Sequence, residues 1–261
     1  VLSDGSAVCW GTNTYGQLGT GDTNAPSLPT PVSNEAGQGT LAGVASISAG
    51  SNHSCAVING GTVRCWGSNY DGELGDGTNV DKLLPVYVNG AANPLTDVAE
   101  VYPGNWTTCA RLTDGRGRCW GYNSNGAIGE GSTTSSNVPV QVLDTTGQAA
   151  LQGIAEFDLG SGHVCARLSN GRVNCWGENY NGQLGNGSQN NVSTLPVVVP
   201  SESGQGSLNG VSDIALGDYY TLAANSSGEV WGWGYFGFGE NVTIIRSGTP
   251  VAFDNWPGAI Q

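Results

Sequence analysis

The chain has 261 residues, and its 8 basic and 21 acidic side chains give a formal net charge of -13 at pH 7. Such an acidic surface repels nucleic acid and anionic lipid, so we expect neither as a partner, and no apolar run approaches the ~18 residues of a membrane span. The 43 glycines do not follow the three-residue register of collagen. They predict dense turns in a globular chain.

A Trp-Gly step recurs along the whole chain, at Trp10, Trp66, Trp120, Trp176 and Trp233. A period of about 55 residues with several short strands in each unit is typical of β-propeller blades. The sequence therefore predicts an all-β propeller with four full units and a half blade at each end. The predicted units are 22–77, 78–131, 132–187 and 188–240, and the half blades are 1–21 and 241–261.

Within a unit, two short alternating runs flank a turn, as in residues 163–168 and 172–177 around Asn170-Gly171. This pattern predicts a β-hairpin. A Pro-Val step, first seen at Pro31-Val32, recurs upstream of each such block and is expected in an outer strand, where proline is tolerated. Each unit is thus expected to supply three or four strands.

Six of the seven cysteines form three pairs with a spacing of ten residues: Cys55 with Cys65, Cys109 with Cys119, and Cys165 with Cys175. A three-residue hairpin loop with a left-handed glycine, such as Gly171, places the two members of each pair opposite each other. In the fourth unit both cysteines are replaced together, by Leu222 and Gly232. This joint loss favours disulfides, which are typical of an extracellular or cell-surface protein.

Two alternatives to the disulfides remain, a metal site and free core thiols. His53 and His163 each precede a cysteine by two residues, which resembles a zinc ligand pattern, but Thr107 replaces the histidine in the second unit while its cysteines remain. Cys9 is predicted to be unpaired, since a partner ten residues earlier would precede Val1. We therefore expect the chain to start within a blade.

The run Trp10–Gly21 reads Trp-Gly-x-Asn-x-x-Gly-Gln-Leu-Gly-x-Gly, and so does Trp176–Gly187, while Glu73 departs from it in the second copy. This motif resembles the regulator-of-chromosome-condensation repeat, in a secreted, cysteine-paired variant of bacterial type. The resemblance implies a propeller, typically of seven blades. It also implies guanine-nucleotide exchange for nuclear members, a role that the acidic charge and paired cysteines argue against.

No nucleophile and base arrangement is present, so we predict neither an enzyme nor a cofactor. Aromatic residues that are not repeated between units are the candidate contacts for a protein or glycan, with repacking of a terminal blade as the alternative. These candidates are Trp106, Tyr219, Tyr220, Trp231, Tyr235, Phe236 and Phe238. Asp71, Asp76 and Asp81 form a weaker candidate calcium site in one acidic loop.

The sequence therefore predicts an extracellular or surface-displayed, disulfide-stabilised propeller that binds a protein or a glycan. The alternative is a structural subunit that assembles into a filament or shell when half blades of different copies complete each other. An enzyme or exchange factor is the third hypothesis and has no supporting residues.

Overall fold

The computed structural model describes residues 1–189, 191–236 and 245–252 and shows one two-stranded and four four-stranded antiparallel sheets. In each large sheet the strands follow one another in chain order, which is the arrangement of a propeller blade. The predicted all-β propeller class is therefore confirmed. Among the described residues there is no helix long and apolar enough to cross a membrane.

One compact unit comprises residues 1–123 and 134–141. Its small sheet pairs β1 (Val8–Cys9) with β2 (Thr30–Pro31). Its first large sheet contains β3 (Val44–Ala49), β4 (His53–Ile58), β5 (Thr62–Gly67) and β6 (Lys82–Tyr87). Its second contains β7 (Val98–Pro103), β8 (Thr107–Leu112), β9 (Gly117–Gly121) and β10 (Ser136–Gln141). We refer to this body as unit 1.

Unit 2 comprises residues 124–133 and 142–261 and holds the other two large sheets. The first contains β11 (Ile154–Leu159), β12 (His163–Leu168), β13 (Val173–Glu178) and β14 (Val192–Val198). The second contains β15 (Val211–Leu216), β16 (Tyr220–Asn225), β17 (Val230–Phe236) and β18 (Ile245–Ala252).

The second and third strands of each large sheet form the predicted hairpin. Gly171 has a φ of 77°, the left-handed conformation that this turn needs, and its N–H donates to the carbonyl of Leu168 at 2.8 Å. The resulting register places Cys165 opposite Cys175, and the two form a disulfide. Cys55–Cys65 and Cys109–Cys119 are bonded in the same way, whereas Cys9 is free.

The proline-bearing segments form the outer strands, as expected, but the register corrects two assignments. Cys9 pairs with Thr30 as Cys65 pairs with Val86, so Pro29, not Pro31, is the equivalent of Pro85. Residues 245–252, assigned to a terminal half blade, instead form the fourth strand of the β15–β18 sheet. The reason is the same in both cases, because each blade takes its outer strand from the segment that follows its Trp-Gly-x-Asn loop.

The repeated tryptophans explain the spacing of this motif. Trp66 is fully buried, and its indole N–H donates to the carbonyl of Gln17 in the preceding Gly-x-Leu-Gly loop at 2.8 Å. The same bond joins Trp120 to Glu73 in unit 1, and in unit 2 it joins Trp176 to Ala127 and Trp233 to Gln183. Each loop therefore closes the core of the blade that follows it within its unit.

The repeated asparagine of the motif organises the loop itself. Asn69 is fully buried, its Oδ1 accepts the N–H of Leu74 at 2.9 Å, and its Nδ2 donates to the carbonyl of Val80 at 3.2 Å. Asn179 holds Leu184 in the same way at 3.0 Å. Because the side-chain amide of one asparagine bonds backbone groups on both sides of the loop, the loop keeps its shape without regular secondary structure.

Glu73 is the position where this loop departs from the repeat, and it supports a first prediction. Burial raises the pKa of its carboxyl group, which occupies the place of the neutral Gln17 and Gln183. Because this pKa is higher in the folded chain than in the unfolded chain, the free energy of unfolding falls as the pH rises through the folded-state pKa. We expect Glu73→Gln to increase the free energy of unfolding by about 1 kcal/mol at pH 7.5 and less at pH 4, measured by urea unfolding. Gln17→Glu, the reverse change, should decrease it.

Candidate functional site

The loops after the first and third strands of a blade emerge at the same end of the sheet, because neighbouring strands are antiparallel. We call this end of each unit its loop end. In unit 1 it includes residues 50–52, 68–81 and 104–106, and in unit 2 it includes residues 160–162, 179–189 and 217–219. The candidate site residues are considered with respect to these loops.

Within each unit, the short loops after the first strands pack tightly against each other. A Cβ atom on Gly50 would lie 2.2 Å from the carbonyl oxygen of Gly104, so only glycine fits. Ser51 Oγ bonds Asn105 in the same contact. In unit 2, Ser161 Oγ donates to Asp218 Oδ1 at 2.5 Å. Loops of neighbouring blades in a unit thus form a continuous surface.

Trp106 lies on the loop end of unit 1 with 45% of its surface exposed. Its ring contacts Tyr122 edge-on, with centroids 6.0 Å apart. Its carbonyl accepts the N–H of Tyr122 at 2.9 Å, and Thr107 Oγ1 donates to the Tyr122 carbonyl at 2.8 Å. An exposed aromatic ring that is held in place before binding loses little entropy on contact, which is typical of an interface anchor.

Two exposed tyrosines at the loop ends were missed from the sequence. Tyr70 in unit 1 is 82% exposed and Tyr180 in unit 2 is 52% exposed. Both follow the buried asparagine of the motif directly, so they looked like part of the structural repeat. The signal was nevertheless present in the sequence. Other copies of the repeat have a small polar residue at this position, Thr14 or Ser124, so the fold does not require an aromatic ring there.

The other candidate aromatics have different environments. Tyr219 is at the loop end of unit 2 and 46% exposed. Tyr220 is half-buried and takes the place of the buried histidine, with its ring against Gly217. Trp231 was wrong as a contact residue, because it is buried in the hydrophobic core of unit 2. Tyr235 is half-buried, and its N–H donates to the Tyr219 carbonyl at 2.9 Å. Phe238 and the side chain of Phe236 lie outside the described residues.

The acidic loop proposed for calcium has its own hydrogen-bond and ion partners. Asp76 Oδ2 lies 3.4 Å from Lys82 Nζ, and its Oδ1 accepts bonds from Thr78. Asp81 accepts the N–H of Asn69 at 2.8 Å. In the part of the chain that the structure describes, no three acidic, histidine or cysteine side chains converge to hold a metal ion. The calcium interpretation is corrected accordingly, since Asp76 and Asp81 bind protein groups and the three carboxylates do not converge.

The two histidines are buried between blades of the same unit. Thr108 Oγ1 donates its proton to the Glu73 carbonyl at 2.7 Å, so the contact of 2.8 Å with His53 Nε2 requires an N–H on that nitrogen. Burial lowers the pKa of His53 to about 4 and that of His163 to about 3. Both rings are therefore neutral at physiological pH and serve as structural donors.

Known protein families identify the repeat. A model of the regulator of chromosome condensation (RCC1) repeat matches residues 4–57, 60–110 and 170–224, more than half of the chain. The chain belongs to the RCC1 repeat family. A second model of the RCC1 repeat matches residues 44–73, 154–183 and 211–240, which begin in the first strands of three large sheets.

The relatives of this RCC1-repeat chain are larger proteins. Human E3 ubiquitin-protein ligase HERC2 is 29% identical over 240 residues, which is 90% of this chain and 5% of HERC2. The ultraviolet-B receptor UVR8 of Arabidopsis thaliana is 30% identical over 197 residues, 74% of this chain and 42% of the receptor. The chain thus spans less than half the length of either.

Solved structures agree on the fold. The crystal structure of human WBSCR16 matches with a TM-score of 0.71 and 22% identity, covering 98% of this chain and 64% of that one. Prp20p of Saccharomyces cerevisiae matches with a TM-score of 0.54 and 15% identity, covering 98% and 76%. At these identities the similarity establishes the RCC1-type propeller fold alone.

Proposed function

We propose that this RCC1-repeat chain is a protein-binding module of an extracellular or cell-surface protein, and that its partner contacts the loop end of unit 1. The observation that carries the proposal is the exposed and fixed ring of Trp106, accompanied on the same loop end by Tyr70. Rigid aromatic side chains that are surrounded by polar loops are typical interface anchors.

Charge narrows the class of partner. The net charge is -13, and five of the few basic side chains already pair with carboxylates within the described residues. A partner with a basic surface is therefore favoured over an acidic one. Structures of the relative Prp20 are described by its binding to Kap60, Gsp1p and histones, which supports protein recognition as a use of this fold.

The cysteines support the proposed compartment. All six bonded cysteines are fully buried, and disulfides of this kind persist in oxidising environments. Acid quenching of its native cells, followed by alkylation of the denatured protein without a reductant, tests this part, because unfolding makes every free thiol accessible. Mass spectrometry should find Cys55, Cys109 and Cys165 unmodified until a reductant is added, whereas modification without a reductant would contradict an oxidising location.

The partner surface is tested with an array of purified proteins and glycans. We expect protein ligands whose affinity falls at least about tenfold in Trp106→Ala, the loss typical of an anchor residue. Val198→Ala, an exposed apolar side chain at the end of the outer strand β14 in unit 2, is the matched control and should bind as the wild type does. Protein ligands that bind Trp106→Ala as tightly as the wild type would contradict the proposal. So would an array on which only glycans bind.

A further inference from the structure

A cavity of about 560 Å³ lies in unit 1, at the end of its second large sheet that is opposite to the loop end. It is lined by Asn89 and residues 94–97, which lead into β7, and by residues 112–114 at the hairpin turn after β8. Arg116 and Arg118 also line it, so two of the chain's 8 basic side chains belong to this cavity. Its volume is within the range of sites that bind small molecules.

Arg118 has a repeat equivalent, Arg64, in the first large sheet. Both arginines directly precede the bonded cysteine of a third strand. Arg64 is buried, and its Nε donates to the carboxylate of Glu35. Its guanidinium also lies over the ring of Tyr87, with Cζ 3.2 Å from the ring centroid. The first large sheet therefore provides its arginine with a carboxylate from within the chain.

The loop that carries Glu35 is different in the second large sheet. Residues 33–40 form this loop before β3 and residues 89–94 form it before β7, so the second loop is two residues shorter. Each loop is closed by the same backbone bond, Leu41 N–H to the Val32 carbonyl at 2.8 Å and Leu95 N–H to the Val88 carbonyl at 3.0 Å. The shorter loop contains no acidic residue, and both of its ends line the cavity. The cavity therefore lies where the carboxylate of the first sheet has no counterpart.

Arg118 is consequently left without a carboxylate. It is half-buried, donates to the neutral side chain of Gln141, and belongs to none of the ion pairs among the residues that the structure describes. The neighbouring Arg116 differs, because its Nε donates to Asp114 Oδ2 at 2.7 Å. Burial and the charge of Arg116 lower the pKa of Arg118. A carboxylate in the cavity would offset both effects, and it can accept two parallel bonds from one guanidinium.

Asp97 is a second lining residue that departs from the repeat. It directly precedes β7 and has a φ of 58°, in the left-handed region that favours glycine. In the other three large sheets the corresponding residue is a glycine with a φ between 68° and 75°: Gly43, Gly153 and Gly210. The Thr96 hydroxyl donates to Asp97 Oδ2 at 3.1 Å, but no basic side chain in the described part of the chain pairs with it. Because a carboxylate only accepts hydrogen bonds, a ligand group that faces Asp97 must be a donor.

We propose that this cavity binds a free amino acid, with the ligand carboxylate bonded to Arg118 and the ligand ammonium group bonded to Asp97. The ligand carboxylate takes the role that Glu35 has in the first large sheet. A zwitterion matches both charges of the cavity, and the net charge of -13 does not repel it as it would a simple anion. The cavity and Trp106 lie at opposite ends of the second large sheet, so this site goes beyond the proposed function and is tested separately from it.

Titration with each of the common amino acids tests the proposal, followed by the backbone amide resonances of residues 95–97 and 112–118 in 1H–15N NMR spectra. We expect at least one amino acid to shift these resonances saturably. Its carboxamide derivative lacks the carboxylate and its N-acetyl derivative lacks the ammonium group, so each should bind at least about tenfold more weakly. Equal binding of either derivative, or no saturable shift with any amino acid, would overturn the proposal.

Two variants separate binding from folding. Asp97→Gly restores the residue of the other three sheets and removes the left-handed strain, so it should raise the urea midpoint while it weakens binding at least about tenfold.

Arg118→Gln should weaken binding by at least about tenfold as well. Arg172→Gln, which removes an exposed arginine from a hairpin turn of unit 2, is the matched control for charge and should bind as the wild type does. Trp106→Ala should also bind the amino acid normally, whatever its effect on a protein partner. Unchanged binding by Asp97→Gly or by Arg118→Gln would overturn the proposal, and Asp97→Gly decides alone if Arg118→Gln does not fold.

Discussion

Replacing Trp66 by alanine will lower the free energy of unfolding by about 3–5 kcal/mol, whereas replacing Trp10 will change it by less than about 0.5 kcal/mol. Both tryptophans open the same repeated motif in unit 1. Trp66 is fully buried and bonded to the Gln17 carbonyl, but Trp10, which directly follows β1, is 62% exposed. Comparing the two variants therefore separates the contribution of burial from that of the local sequence motif, which both tryptophans share.

Urea unfolding followed by far-UV circular dichroism measures both variants, and Trp66→Phe is a further control. Phenylalanine keeps most of the buried ring but loses the indole N–H, so it should cost less than alanine and leave the Gln17 carbonyl with the Ser54 hydroxyl as its donor. A loss at Trp10 comparable to that at Trp66 would show that the Trp10 ring is buried in solution.

The fold was predictable from the sequence because turn residues mark the strand boundaries within each repeat. The spacing of Cys165 and Cys175 around Gly171 determines a hairpin register, and the joint replacement by Leu222 and Gly232 distinguishes a bonded pair from two thiols. These are local relations within one hairpin. A local pattern of turn residues and strand alternation is sufficient to predict them.

The errors concern relations between strands and between blades. The Pro-Val step points to Pro31, whereas the register, which depends on the residue that faces Cys9 across the sheet, gives Pro29. Trp231 was expected at the surface because it is not repeated, yet whether its ring is buried depends on the neighbouring side chains of unit 2. The exposure of Trp10 and Tyr70 likewise depends on which loops lie over them, and no single motif contains that information.

The buried histidines produce the second large effect, a loss of stability in acid. The pKa of His53 is about 4 and that of His163 about 3 in the folded protein, against an ordinary value of 6.5. Unfolding exposes both rings, so below pH 6.5 the unfolded chain binds protons that the folded chain does not. Their stabilising contribution is complete above pH 6.5 and is lost as pH falls toward 4 and 3. At pH 4.5 the loss is roughly 2–3 kcal/mol for each histidine.

The repeat supplies the variant that isolates this effect from the titration of the many carboxylates. Threonine is the natural residue at this position in the second large sheet, as Thr107, and it does not titrate. Between pH 7.5 and 4.5 the wild type should therefore lose about 5 kcal/mol more than His53→Thr/His163→Thr, and each single variant should recover about half of the difference. Urea midpoints at the two pH values measure this directly. Parallel profiles for the wild type and the double variant would show that the rings are protonated, or accessible to water, in the folded blades.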